Sequence, residues 1–193
     1  QQYEAKALGV ALSADEQATV DKQVEDQMTY YMDTFRSQAQ SEGATDVEAL
    51  RQVCAAHLRL GSAGVLPTLI TDTAEATAQV IASGIAAARA GVPGFLGLHL
   101  EGPHLDPRRK GAHDPQLIRP MQAEDLARLC DAARTLPALM VTLAPESASP
   151  EQIAALSDAG AVVSLGHTDC SFEVAQAAMA AGARCATHLF NAM

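Results

Sequence analysis

From about residue 44 the chain alternates between short apolar runs and longer stretches with helical periodicity. Val47, Leu50, Val53 and Cys54 fall on one side of a helix predicted over 46–60, with Gly61 as its stop. Apolar runs follow at 65–70, 95–100, 139–143, 162–165 and 186–189. Between them, helices are predicted over 74–90, 123–136, 150–159 and 172–181, with Pro150 in a first turn, where its missing N–H costs nothing. Strand–helix units of about 25–35 residues are the signature of a parallel sheet, and strands that read as apolar runs are buried on both faces. The fold class is α/β, and five such strands fit part of a (β/α)8 barrel or a doubly wound sheet. No GxGxxG follows the first strand, which lowers the dinucleotide-binding reading.

Residues 1–43 are patterned differently. Ser13-Ala14-Asp15-Glu16 has the form of a capping box, and Val20, Val24, Met28, Tyr31 and Phe35 recur at helical spacing on an otherwise polar stretch. The expected division is a helical segment over 1–43 and an α/β region over 44–193.

Composition narrows the function classes. Hydrophobic residues make up 48% of the chain, enough for a core, whereas aromatics are only 4% and Trp is absent. The net charge is -10, and the longest basic cluster is Arg108-Arg109-Lys110, which argues against nucleic acid or an anionic membrane surface as partner. The cysteines at 54, 130, 170 and 185 form no CxxC and read as reduced thiols of a cytoplasmic protein. No apolar run approaches the ~18 residues of a membrane span, and no signal peptide is recognisable. The chain starts at Gln1 and is expected to be a piece of a longer protein.

The candidate chemistry lies where apolar runs end. Gly97-Leu98-His99-Leu100 ends on Glu101, the run at 162–165 leads to His167, and Cys185-Ala186-Thr187 leads to His188. An unpaired carboxylate is among the costliest groups to bury, so a strand has no reason to deliver one without a partner. One carboxylate and two imidazoles, each behind its own strand, form a ligand set for a divalent ion that keeps an open coordination position. His99 points to the same side as Glu101, either as a supporting partner or as a satisfied core histidine. Cys170, three residues after His167, is a weaker ligand candidate, and His57 reads as structural. The loop at 108–110 could receive an anion or lie solvated. His113 follows Gly111-Ala112, a small-residue turn that permits close approach to a ligand.

Five motifs occur in a characteristic order. They are Leu66-Pro67-Thr68-Leu69, Leu100-Glu101-Gly102-Pro103, Lys110-Gly111-Ala112-His113, Leu165-Gly166-His167-Thr168 and Thr187-His188-Leu189-Phe190-Asn191-Ala192-Met193. In these motifs the region 44–193 resembles the N-acetylglucosamine-6-phosphate deacetylases of the amidohydrolase superfamily. The resemblance implies a partial metal-dependent (β/α)8, TIM-like barrel with an added N-terminal helical segment. It implies hydrolysis of the acetamide of N-acetylglucosamine 6-phosphate to glucosamine 6-phosphate and acetate, with a divalent ion, zinc or iron, as cofactor. Glu101, His167 and His188 would be the metal ligands, Ala112 and His113 would line the substrate site, and Asn191 and Ala192 would contact the sugar phosphate.

The family's general acid/base aspartate would lie on a later strand, beyond Met193, and neither Asp72 nor Asp169 takes its place. The family's glycine-rich first strand has no counterpart in residues 1–42. This chain alone is therefore expected to be inactive, and an open parallel edge invites pairing into a homo-oligomer. The competing readings are an amidohydrolase acting on a different amide and a non-catalytic metal-binding remnant.

Overall fold

The computed structural model describes residues 46–191, together with Ser13, Thr19 and Lys22. The chain divides into two units, Gln1–Ala44 and Thr45–Met193. The helix expected from Val20, Val24, Met28, Tyr31 and Phe35 falls outside the described residues.

The second unit runs α1 (Asp46–Arg59), β1 (Thr68–Ile70), α2 (Ala74–Arg89), β2 (Leu98–Glu101), α3 (Ala123–Thr135), β3 (Leu139–Leu143), α4 (Pro150–Asp158), β4 (Val162–Leu165), α5 (Phe172–Ala180) and β5 (Cys185–Ala186). The helices start on side-chain caps. Thr73 accepts from the Ala76 N–H at 3.1 Å, and Ser149 and Gln152 form a reciprocal capping box ahead of Pro150. At α3 the Asp125 carboxylate reaches back to the Gln122 N–H at 3.0 Å.

The five strands form one parallel sheet in the order β1-β2-β3-β4-β5, each beside its sequence neighbour. A doubly wound sheet reverses its order at a switch point. No reversal occurs among these strands, so of the two sheet types open from the sequence, the doubly wound one does not describe them.

Strand alternation divides the sheet into two faces. Leu98, Leu100, Leu139, Val141, Leu143, Val163 and Leu165 are buried in a single core that also takes Ile81 and Ala87 of α2, Leu129 of α3, and Ile153 and Leu156 of α4. The intervening residues are polar on β2, His99 and Glu101, and mixed on β3 and β4, where Thr142 and Ser164 share that face with Met140 and Val162. The strands are thus apolar toward the helices and chemically equipped on the other side, rather than uniformly apolar as the runs suggested. Close approach of α2 is permitted by Gly84, where an added Cβ would sit 2.6 Å from Leu98 Cδ1 and 2.8 Å from Cγ.

Two strands are shorter than their apolar runs. The run at 65–70 yields only Thr68–Ile70, because Pro67 has no N–H to give the ladder; Val65 makes an isolated bridge to Phe95. The run at 186–189 yields only Cys185–Ala186, since the chain leaves extended geometry at His188, with φ 32°.

Candidate metal centre

Glu101 is the last residue of β2, and His167 and His188 each stand two residues past the ends of β4 and β5. Both histidines have left-handed backbones, φ 51° and 32°, an uncommon conformation outside glycine and one concentrated at functional sites. This turn brings their rings over the sheet edge onto the carboxylate. His167 Nε2 and His188 Nε2 each lie 3.0 Å from Glu101 Oε1, and 3.1 Å from one another.

The opposite ring nitrogens are held by main-chain carbonyls. His167 Nδ1 donates to Arg109 O and His188 Nδ1 to Asn191 O, both at 2.8 Å. A donating Nδ1 leaves the Nε2 of a neutral ring as a lone pair. Two lone pairs and a carboxylate oxygen therefore converge on a triangle about 3 Å on a side. Such crowding is repulsive unless a proton or a cation sits within it, and edges of this length suit three donors about 2.0–2.2 Å from one ion. The donor set thus fits a divalent metal.

The electrostatics without an ion agree. Burial alone would raise the Glu101 pKa, but the His167 hydrogen bond and charge, with lesser help from His113 and His188, hold it down at about 2. His167 pays the same burial penalty, yet the hydrogen bonds to Glu101 and Arg109 and the Glu101 charge raise its pKa above the ordinary value. The contact between His167 Nε2 and Glu101 Oε1 thus favours positive charge at the place where the donor set would offer a cation its ligands.

His113 stands beside this triangle, its ring centroid 4.4 Å from that of His167, and its ligand atom also falls within 4.8 Å of those of Glu101 and His167. Its tautomer separates it from the other two. The Thr71 N–H can only donate, and it meets His113 Nδ1 at 3.2 Å, with the Thr71 hydroxyl at 2.7 Å. Nδ1 is therefore the acceptor, and Nε2 carries the proton. Burial, followed by the nearby His167 charge, lowers the His113 pKa to about 4, so the ring is neutral near pH 7. A neutral Nε2–H is a hydrogen-bond donor and not a metal ligand. Ala112 is exposed next to it. Asn191 is exposed and contributes its carbonyl to His188, and Ala192 lies outside the described residues.

Below the triangle, His99 does not touch Glu101. Its Nδ1 meets Thr68 Oγ1 at 3.0 Å and its Nε2 meets Thr142 Oγ1 at 2.7 Å. Thr187 continues the row, 2.7 Å from both Thr142 and Ser164. His99 is thus a satisfied interior histidine. Cys170 donates its N–H to Thr168 Oγ1 and belongs to no ligand cluster among the described residues.

The basic loop differs from an anion receptor. Arg108 is held by Asp106, with Nε at 2.9 Å from Oδ2, and also faces Asp169 at 3.1 Å and Glu146 at 3.7 Å. Arg109 pairs with Asp169 through Nε at 2.9 Å and through Nη2. Three carboxylates thus surround two guanidinium groups. The sequence pattern pointed to Glu101, His167, His188 and His113, but not to Thr71, Glu146 or the two carbonyls that orient the rings. Thr71 and Glu146 were visible as polar residues after strands, whereas a carbonyl has no sequence signature.

The relatives of this chain are deacetylases of N-acetylated hexosamine 6-phosphates. It is 40% identical over 150 residues to the N-acetylgalactosamine-6-phosphate deacetylase of a Shewanella species, covering 76% of this chain and 37% of that protein. It is 35% identical over 149 residues to the N-acetylglucosamine-6-phosphate deacetylase of Haemophilus influenzae, covering 77% of this chain and 39% of that protein. Among solved structures, a variant of the Mycobacterium smegmatis N-acetyl-D-glucosamine-6-phosphate deacetylase in complex with N-acetyl-D-glucosamine-6-phosphate aligns with TM-score 0.63 and 39% identity, covering 69% of this chain and 34% of that one. No family model matches. The resemblance to N-acetylglucosamine-6-phosphate deacetylases carried by the motifs is borne out, and the chain spans under two fifths of the length of the relatives described above.

Proposed function

We propose that this chain carries the metal-binding part of a deacetylase that hydrolyses the acetamide of N-acetylglucosamine 6-phosphate to glucosamine 6-phosphate and acetate. The observation that carries the reading is the triangle of Glu101 Oε1, His167 Nε2 and His188 Nε2, with both rings turned by carbonyls so that their lone pairs converge. These three residues would hold a divalent ion, zinc or iron. Such an ion supplies Lewis-acid polarisation of a carbonyl and a water acidic near neutral pH.

The chain's own groups then have defined tasks. Arg109 O and Asn191 O keep the two rings in the ligating tautomer. His113, fixed by Thr71, offers its Nε2–H to an oxygen of the substrate amide, where a donor stabilises developing negative charge. Ala112, without a bulky side chain, leaves room for the sugar beside it, and Asn191 and Ala192 would contact the sugar phosphate. Four carboxylates near the two loops are already committed: Glu101 belongs to the triangle, and Asp106, Glu146 and Asp169 face guanidinium groups. The chain alone is expected to be inactive on this reading.

The unreversed strand order supports a segment of a (β/α)8 barrel over 44–193, and the helical spacing of Val20, Val24, Met28, Tyr31 and Phe35 in the sequence supports 1–43 as a helical segment. The open edge of β5, together with the exposed Phe172 and Phe190, supports association with further strand–helix units or with a second copy as a homo-oligomer. The acidic composition and four free thiols support a cytoplasmic protein; no helix among the described residues is long and apolar enough to cross a membrane. The 40% identity to an N-acetylgalactosamine-6-phosphate deacetylase favours a second reading, the C4 epimer as substrate.

Elemental analysis of the purified chain tests the metal reading. The expected result is about one zinc or iron per chain, lost in Glu101→Ala, His167→Ala and His188→Ala. Metal retained by all three variants overturns it. Acetate release from either sugar phosphate by the chain alone would overturn the expected inactivity and identify the epimer.

A further inference from the structure

The loop after β2 and the loop after β4 are tied together at three successive levels around His167. The Asp106 N–H donates to His167 O at 2.9 Å, so the two backbones meet beneath the ring. The ring answers with Nδ1–H to Arg109 O at 2.8 Å. Beyond the ring, the Arg109 guanidinium returns across the gap to Asp169, two residues past His167. A closed circuit results: His167 ring, Arg109 carbonyl, Arg109 side chain, Asp169 carboxylate and the backbone back to His167.

Each member of the circuit is itself braced. Arg108 holds the other oxygen of Asp169 at 3.1 Å and is gripped by Asp106. Glu146 accepts from the Asp169 N–H at 2.9 Å and from the Thr168 hydroxyl at 2.6 Å, which fixes the backbone leaving His167. Asp106 also caps the short 3-10 turn Pro107–Arg109 that carries the carbonyl in question. The carbonyl facing His167 therefore owes its position to the side chain of its own residue, anchored on the far loop.

We infer that Arg109 and Asp169 are positioning residues that hold the Arg109 carbonyl against His167 Nδ1, and thereby keep His167 Nε2 available as a metal ligand. The inference rests on the metal reading above. Outer partners of ligating histidines set the tautomer and ring orientation, and losing them typically weakens metal binding about 10–100-fold. Asp169 acts one bond further out, so the low end of that range, about tenfold, is expected.

Two measurements on the full chain test this. In metal-free, 15N-histidine-labelled protein, the His167 Nδ1 proton is identified by its absence from His167→Gln. It should be protected from solvent exchange in the wild type and lose that protection in Asp169→Ala and Arg109→Ala. Zinc affinity, read by competition with a chromophoric chelator, should fall about tenfold in the same variants. It should recover in Asp169→Glu, which restores the carboxylate. Should the alanine variants fail to fold, Asp169→Asn and Arg109→Lys, which keep the shape or the charge, are read instead. Folded variants with unchanged Nδ1 protection and unchanged zinc affinity overturn the inference. A wild type that binds no zinc overturns the metal reading, and the Nδ1 protection of the variants still decides whether Arg109 and Asp169 hold the ring.

Discussion

Thr71 and His113, 42 residues apart, are joined twice at one atom: the Thr71 N–H at 3.2 Å and its hydroxyl at 2.7 Å both meet His113 Nδ1. On the metal reading proposed above, this pairing separates His113 from the other two histidines. His167 and His188 direct a lone pair at Glu101, while His113 retains its Nε2–H. His113→Ala should therefore keep the full metal content, while His188→Ala loses it, as read by elemental analysis. Thr71→Val, which removes one hydrogen bond while preserving shape, should cost about 1 kcal/mol in urea unfolding and leave the metal in place. Loss of metal from His113→Ala would show that His113 is a ligand after all.

Zinc binding should weaken as pH falls, and the decline should begin above the range of an ordinary histidine. The cause is the raised pKa of His167, whose proton competes with the ion for Nε2. Above that pKa the ring is neutral and no proton is displaced. Below it each bound ion expels one proton, so affinity drops about tenfold per pH unit for that group. Chelator competition between pH 5 and 9 reads the slope. A flat profile across that interval would contradict the shared site.

Asp125 provides a second pH dependence, independent of the metal. Its carboxylate is buried against the Arg119 guanidinium, and this hydrogen bond, outweighing burial, depresses its pKa from 3.8 to about 2. A depressed carboxylate adds stability that is present above its unfolded value and lost as pH falls through its folded value. Asp125→Asn should therefore destabilise by about 2 kcal/mol at pH 7 and by little near pH 2. Urea unfolding at the two pH values makes the comparison, and an equal cost at both would refute the ion-pair account.

Gly84 offers a packing test. Alanine there would gain about 1 kcal/mol in helix propensity, but its Cβ would press on the fully buried Leu98 at 2.6 and 2.8 Å. Overpacking of a filled core costs about 1–3 kcal/mol. The clash wins because the contact involves Leu98 Cγ as well as its tip and Leu136 Cδ2 stands 3.3 Å away, so Gly84→Ala should lower stability by about 1 kcal/mol in urea unfolding. A neutral or stabilising result would mean that α2 can lift from the sheet.

The central strands were legible because their apolar runs are the strands: 139–143 and 162–165 match β3 and β4 residue for residue. The convergence of Glu101, His167 and His188 was legible for a related reason, since a charge or imidazole directly after such a run stands out against it. The run ending at Leu189 was misleading because hydropathy does not register the turn at His188 that swings its ring toward Glu101. The loop at 108–110 was equally opaque. Its basic character is visible locally, but the carboxylates of Glu146 and Asp169 that neutralise it arrive from two later strand ends. Tautomers lie deepest of all, because they depend on carbonyls that every residue possesses.

The hydroxyl row under the candidate metal centre has a direction. Thr68 donates to Leu66 O at 3.3 Å, so its one proton is spent and it accepts from His99 Nδ1–H. His99 Nε2 then accepts from Thr142, Thr142 from Thr187, and Thr187 from Ser164. With Thr68 as the terminal donor, the row runs from Ser164 on β4 to Thr187 just past β5, and from there through Thr142 on β3 and His99 on β2 to β1. That face of the sheet is thus wired like a row of aligned magnets: turning one donor requires turning the others, so residues of four strands and the one after β5 share a single hydrogen-bond direction.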